Sequence, residues 1–163
     1  MNPDYQTDYW VRRSRLLGGG LTLVMAAVAV LALGWKIAEV SEGRAMEATR
    51  EHLSASLGAW AAEHVAKNRV ADAAWQTTNP FVLLRWQQDN YCGELAVGVE
   101  PRAGCWYWLP RQAWVLYRLR YAGGRDEVLA WRLAALPADV VQGHALALEL
   151  AAVTRSELAG QGF

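Results

Sequence analysis

The sequence predicts an α+β protein. One N-terminal membrane-spanning helix continues as a long amphipathic helix, and that helix packs on a four-stranded antiparallel sheet. Three observations carry the expectation. No charged residue occurs from Leu16 to Trp35. From Lys36 to about Trp75 there is no proline, and Ala, Glu and Arg dominate. Beyond Cys105, apolar side chains recur with a period of two.

The span comes first. The twenty residues from Leu16 to Trp35 rise about 30 Å as a helix, the thickness of a bilayer's hydrocarbon core. A cleaved secretory signal is not expected, because the run exceeds the usual apolar region and no small-x-small site ends it. Arg12, Arg13 and Arg15 directly precede the span, as cytoplasmic anchors do. Lys36, Arg44 and Arg50 follow it, interleaved with glutamates, so the tight first cluster decides the orientation. Trp10 and Trp35 fall near the two interfaces, where indoles prefer to sit. Gly18, Thr22, Ala26 and Ala29 form a ridge of small residues of the kind that lets membrane helices approach closely. Alanine used as helix filler would produce the same ridge without a partner.

The division expected is a cytoplasmic tail over 1–15, the transmembrane helix over 16–38, an outer amphipathic helix over 39–78 and a β-rich outer domain over 79–163. Met46, Leu53, Leu57, Trp60 and Val65 fall at helical spacing and give the outer helix one apolar stripe. Gly43 and Gly58 are its weak points. Thr77, Thr78, Asn79 and Pro80 are expected to end it, since proline disfavours helical geometry in the residue before it. Phe81 to Trp86 fits a short helical turn.

Four strands follow. Cys105 to Leu109 is a dense aromatic strand, and Pro110 opens a turn. Ala113 to Tyr121 alternates, with Val115, Tyr117, Leu119 and Tyr121 opposite Arg118 and Arg120. Gly123-Gly124 permits a tight hairpin into Glu127 to Ala135, which sets Leu129, Trp131 and Leu133 together. Leu146, Leu148 and Leu150 line the last strand, and Gly160 to Phe163 is expected to fray.

Composition narrows the function. The 163 residues suffice for one compact domain besides the span. Sixteen basic and sixteen acidic residues cancel and are dispersed, which excludes a nucleic-acid partner. The hydrophobic fraction of 53% exceeds that of soluble domains because of the N-terminal segment. Cys92 and Cys105 read as one disulfide in an outer domain, with buried free thiols as the alternative. They are too few for a zinc site, and nothing like Cys-x-x-Cys points to redox work. His52, His64 and His144 show no metal-ligand spacing, and His64 lies near the apolar stripe. No nucleophile motif or phosphate-cradling loop occurs, so neither an enzyme nor a cofactor is expected.

Nine tryptophans are many for this length. Alternation puts Trp106 and Trp108 opposite Tyr107, where they either contact a partner or are covered by a loop or the long helix.

The layout of a membrane helix continuing onto an antiparallel sheet resembles type IV pilins. Arg12, Arg13 and Arg15, then Gly20 followed by Leu21, Thr22, Leu23, Val24 and Met25, are similar to the prepilin signal. That signal has a glycine before Phe-Thr-Leu-Ile-Glu. The resemblance implies a degenerate cleavage point between Gly20 and Leu21. Leu21 replaces the phenylalanine and Met25 the glutamate, so a full-length chain is expected. Further along stand Asn79-Pro80-Phe81, Asn90-Tyr91-Cys92-Gly93, Gly104-Cys105-Trp106-Tyr107 and Leu116-Tyr117-Arg118. They are similar to patterns in pilin-like accessory proteins of the MSHA pilus and of type II secretion systems. The resemblance implies a non-enzymatic assembly component of the bacterial inner membrane with a periplasmic domain. Its partners would be other pilin-like subunits or inner-membrane assembly proteins, together with membrane lipid. A sensor or ligand-binding module of the same topology is the alternative, and a tryptophan-lined pocket would distinguish it.

Overall fold

The computed structural model describes residues 3–67, 78–86, 88–96, 98–121, 127–136 and 147–161, with the side chains of the first helix described from residue 18. Helix α1 runs Pro3–Ala66 and a 3₁₀ helix spans Pro80–Leu83. Strands β1 (Tyr91–Glu94), β2 (Trp106–Leu109), β3 (Trp114–Arg118), β4 (Val128–Leu136) and β5 (Ala147–Ala152) precede helix α2 (Arg155–Gly160). The chain divides into two compact units, Met1–Ser41 and Glu42–Phe163.

The first unit is helix alone. Every side chain from Gly18 to Ile37 is exposed, Leu23 and Leu31 by 73% each. In water such a surface costs about 25 cal/mol for each Å² of apolar area, a cost that a bilayer removes. The helix is long and apolar enough to cross a membrane, and the apolar window is 0% buried, unlike the core helix of a soluble domain. This fits a single-pass membrane protein. Thr22 Oγ1 donates to the Gly18 carbonyl at 2.5 Å, satisfying a hydroxyl that lipid could not.

In the second unit the remaining part of α1 lays its apolar stripe on the sheet. Leu53, Leu57 and Ala61 are fully buried, and Met46 and Trp60 pack against the same core. Each buried leucine contributes about 1.5–3 kcal/mol. Val65, expected in the stripe, is 41% exposed and lies off the core. Lys67 closes the helix, its N–H donating to the carbonyls of Glu63 and His64 at 3.2 and 3.1 Å. The expected continuation to Trp75, like the stop at Thr77, falls in 68–77, outside the described residues. The short helical turn expected near Phe81 is the 3₁₀ helix, with Asn79 as its cap.

The sheet has five strands in the order β1-β2-β3-β4-β5. Strands β2 to β5 form the expected antiparallel meander. The expectation of four strands, all antiparallel, is corrected by β1, which pairs with β2 in parallel. Parallel neighbours cannot share a tight hairpin, so residues 95–105 form a connection instead. The described strands match the expected faces. Trp106, Trp108, Val115, Tyr117, Trp131, Leu133, Leu148 and Leu150 lie in the core beneath α1. The opposite face carries a smaller core of Leu95, Tyr107, Leu109 and Leu116. Leu146 and the Gly123-Gly124 hairpin lie outside the described residues.

Helix α2 has no counterpart among the expected elements, and it includes Gly160, the first residue of the tail expected to fray. A capping box forms it, in which Thr154 and Glu157 satisfy each other's backbone N–H groups. Its Leu158 is buried.

Candidate functional site

Trp106 and Trp108 are each 1% exposed. The reading in which their rings meet a partner is thereby corrected in favour of packing. Alternation gave them one face, and α1 covers that face. Trp106 lies 4.7 Å from Tyr117 and 5.5 Å from Trp131, ring centre to ring centre. Such tilted aromatic contacts add about 0.5–1.5 kcal/mol each beyond area burial.

Phe81, Tyr91, Trp106 and Tyr117, one from each of the four local motifs, meet in this cluster, while Tyr107 and Leu116 lie in the smaller core. Asn79 accepts from the Phe81 N–H at 3.1 Å and donates through Nδ2 to the Tyr91 hydroxyl at 2.9 Å. Phe81 stacks on Tyr91 at 4.1 Å and meets Trp106 at 6.2 Å. Burial raises the Tyr91 phenol above its ordinary value, against the opposing hydrogen bond from Asn79. The two glycines of these motifs, Gly93 and Gly104, have φ of 98° and 78°, which side chains with a Cβ rarely adopt. A Cβ on Gly104 would also lie 2.5 Å from the Arg120 guanidinium. The motif residues therefore build structure.

Cys92 and Cys105 form the disulfide expected of them, with Cα atoms 5.7 Å apart. The bond ties the two ends of the connection between β1 and β2, and both sulfur-bearing residues pack against the smaller core. Within the connection, Leu95 N–H donates to the Trp108 carbonyl at 2.9 Å, and Arg102 N–H donates to the Tyr107 hydroxyl at 3.1 Å.

Sequence reasoning missed Glu42. Its Oε1 accepts from the Tyr117 hydroxyl at 2.9 Å and the Arg120 N–H at 2.8 Å, while Oε2 accepts from the Tyr121 N–H at 2.9 Å. One carboxylate thus fastens α1 to the end of β3. Burial, and then the neighbouring carboxylate, raise the Tyr117 phenol far above its ordinary value. The only signal in the sequence is that Glu42 stands four residues before Met46, on the stripe's side of the helix.

Chemistry has little to work with. Among the described residues no group of three His, Cys, Asp or Glu could hold a metal ion. The His64 ring lies 4.3 Å from Trp60 and bonds the Trp60 carbonyl at 2.9 Å. A groove of about 420 Å³, lined by Glu94, Leu95, Ala96, Pro110, Arg111 and Gln112, is open and contains no tryptophan. Gly18, Thr22, Ala26 and Ala29 are exposed on the first unit, as are Gly20 and Leu21. Comparison with protein-family models, with curated proteins and with solved structures finds no match.

Proposed function

We propose that this protein is a non-enzymatic, pilin-like assembly component of a type IV pilus of the MSHA kind or of a type II secretion system. It is held in the bacterial inner membrane with its sheet domain in the periplasm. The observation that carries the reading is the use of one helix for two environments. Its first part is apolar and exposed throughout, and its second part supplies the core of a sheet domain. Such a helix offers lateral contacts in the bilayer while the domain stays rigid outside it. The disulfide supports an oxidising compartment, because cytosolic thiols are kept reduced. The burial of Trp106 and Trp108 in a packed core supports assembly over a ligand-binding module that would use those rings to line a pocket.

The contacts are made by the span, along Gly18, Thr22, Ala26 and Ala29, with other pilin-like subunits or platform proteins. Photo-crosslinkers placed at Ala26 and Ala29 in native membranes test this. Adducts with subunits of a pilus or secretion machine are expected. Adducts with lipid alone from both positions would contradict the proposal.

A further inference from the structure

We propose that residues 92–96 and 98–105, which include both cysteines, form a redox-gated flap. It lies closed on the smaller core while the disulfide is intact, and it opens when a dithiol reduces that bond. Every group involved belongs to the unit Glu42–Phe163, so the proposal is independent of the membrane and assembly readings.

The flap has fixed hinges. Tyr91 and Trp106 pair with each other across β1 and β2. Trp106 is 1% exposed in the larger core, and Tyr91 is held there by Phe81 at 4.1 Å and by the Asn79 amide at 2.9 Å.

Between the hinges the described ties are weaker. The register of β1 on β2 shifts between Tyr91 and Glu94. Leu95 N–H donates to the Trp108 carbonyl at 2.9 Å, Gly104 N–H to the Arg118 carbonyl at 2.7 Å and Arg102 N–H to the Tyr107 hydroxyl at 3.1 Å. Arg118 donates to the Pro101 carbonyl and to Glu100, but that carboxylate side chain is 78% exposed, where an ion pair contributes little. Gly93 and Gly98 are both ordered at positive φ, and glycine loses more freedom on ordering than any other residue. Leu95 is the flap's buried leucine in the smaller core. Opening therefore forfeits one leucine contact and a few hydrogen bonds, and leaves the larger core intact. Such a segment belongs to the low-stability end of a fold.

The disulfide tips that balance. It joins Cys92 to Cys105 at the base of the flap, which limits the freedom gained on opening. Both cysteines are half-buried, within reach of a small dithiol. A thiolate of the reductant attacks one sulfur, the S–S bond breaks, and the other cysteine leaves as a thiolate that takes a proton. The second thiol of the reductant then resolves the mixed disulfide. The reductant ends as a disulfide, and Cys92 and Cys105 end as thiols. Opening takes Leu95 and both cysteines off Tyr107, Leu109 and Leu116 and bares apolar surface.

Hydrogen exchange of the full chain in detergent micelles, with and without dithiothreitol, tests this. Amides of 92–96 and 98–105 are expected to exchange about tenfold faster or more after reduction, while β3 and β4 keep their protection. C92S/C105S is expected to show the fast pattern without reductant, and reoxidation of the wild type to restore the slow one. Unchanged protection of the flap in the reduced protein would overturn the proposal. So would loss of protection in β3 and β4 together with the flap, or a bond that dithiothreitol cannot reduce in the folded protein.

Discussion

Glu42 is one of several glutamates on a charged helix, set apart in the chain only by standing four residues before Met46. Its importance arises only when the end of β3 folds against it and offers one hydroxyl and two N–H donors. Hydrogen bonds to a charged acceptor are worth about 1.5–3 kcal/mol each when shielded, and less at a half-buried site. Glu42→Ala should therefore lower the stability of the outer unit by about 2–4 kcal/mol, and Glu42→Gln by less, in urea unfolding of the full chain in detergent. Tyr117 adds a dependence on pH. Below about pH 10, the ordinary phenol value, the folded and unfolded states both keep the proton and stability is complete. Above that pH the unfolded phenol ionises while the folded one, with its raised value, stays protonated, so stability falls as pH rises. Tyr91 is shifted in the same direction and adds to the loss. Tyr117→Phe should flatten the decline in melting temperature between about pH 9 and 11, although it starts from a less stable protein.

At the scale of elements, the period of the sequence was the reliable guide. Strands β2 to β5 and the core face of α1 follow from alternation and helical spacing, because each of those elements has one covered face. Strand β1 was not legible. It has four residues, includes Gly93 at positive φ, and gains its partner only across the connection 95–105. Helix α2 did leave a trace, Thr154-x-x-Glu157, but six residues give no periodicity to read beside it. The tryptophans show a further limit. Alternation can assign Trp106 and Trp108 to one face, yet only the tertiary fold decides what covers it. The disulfide belongs to this scale too, since it ties an element that cannot close by a hairpin. Its thirteen-residue separation predicts that Cys92→Ser with Cys105→Ser costs about 3 kcal/mol by freeing the unfolded chain. Exchange in residues 95–105 should rise before that of β3 when hydrogen exchange follows the reduced protein. Under the proposed pilin-like reading, Met25 stands where the prepilin signal has glutamate, so the intact mass from native membranes should be that of the full chain. Loss of the first twenty residues would instead make Gly20 a peptidase site.

For the whole molecule, two solvents divide the work. The first part of one helix is long and apolar enough to cross a membrane, and its second part supplies the core of a sheet domain. In the proposed topology the disulfide fits an oxidising outer compartment, and the arginines before the span fit a cytoplasmic first end. The proposed assembly through the span depends on that arrangement. Protease treatment of spheroplasts from cells carrying the protein with an epitope at each end tests it most directly. The C-terminal epitope should be lost while the N-terminal epitope survives on a fragment that alkaline carbonate leaves in the membrane. Protection of the C-terminal epitope until the membrane is lysed, or release of the protein by carbonate, would contradict it.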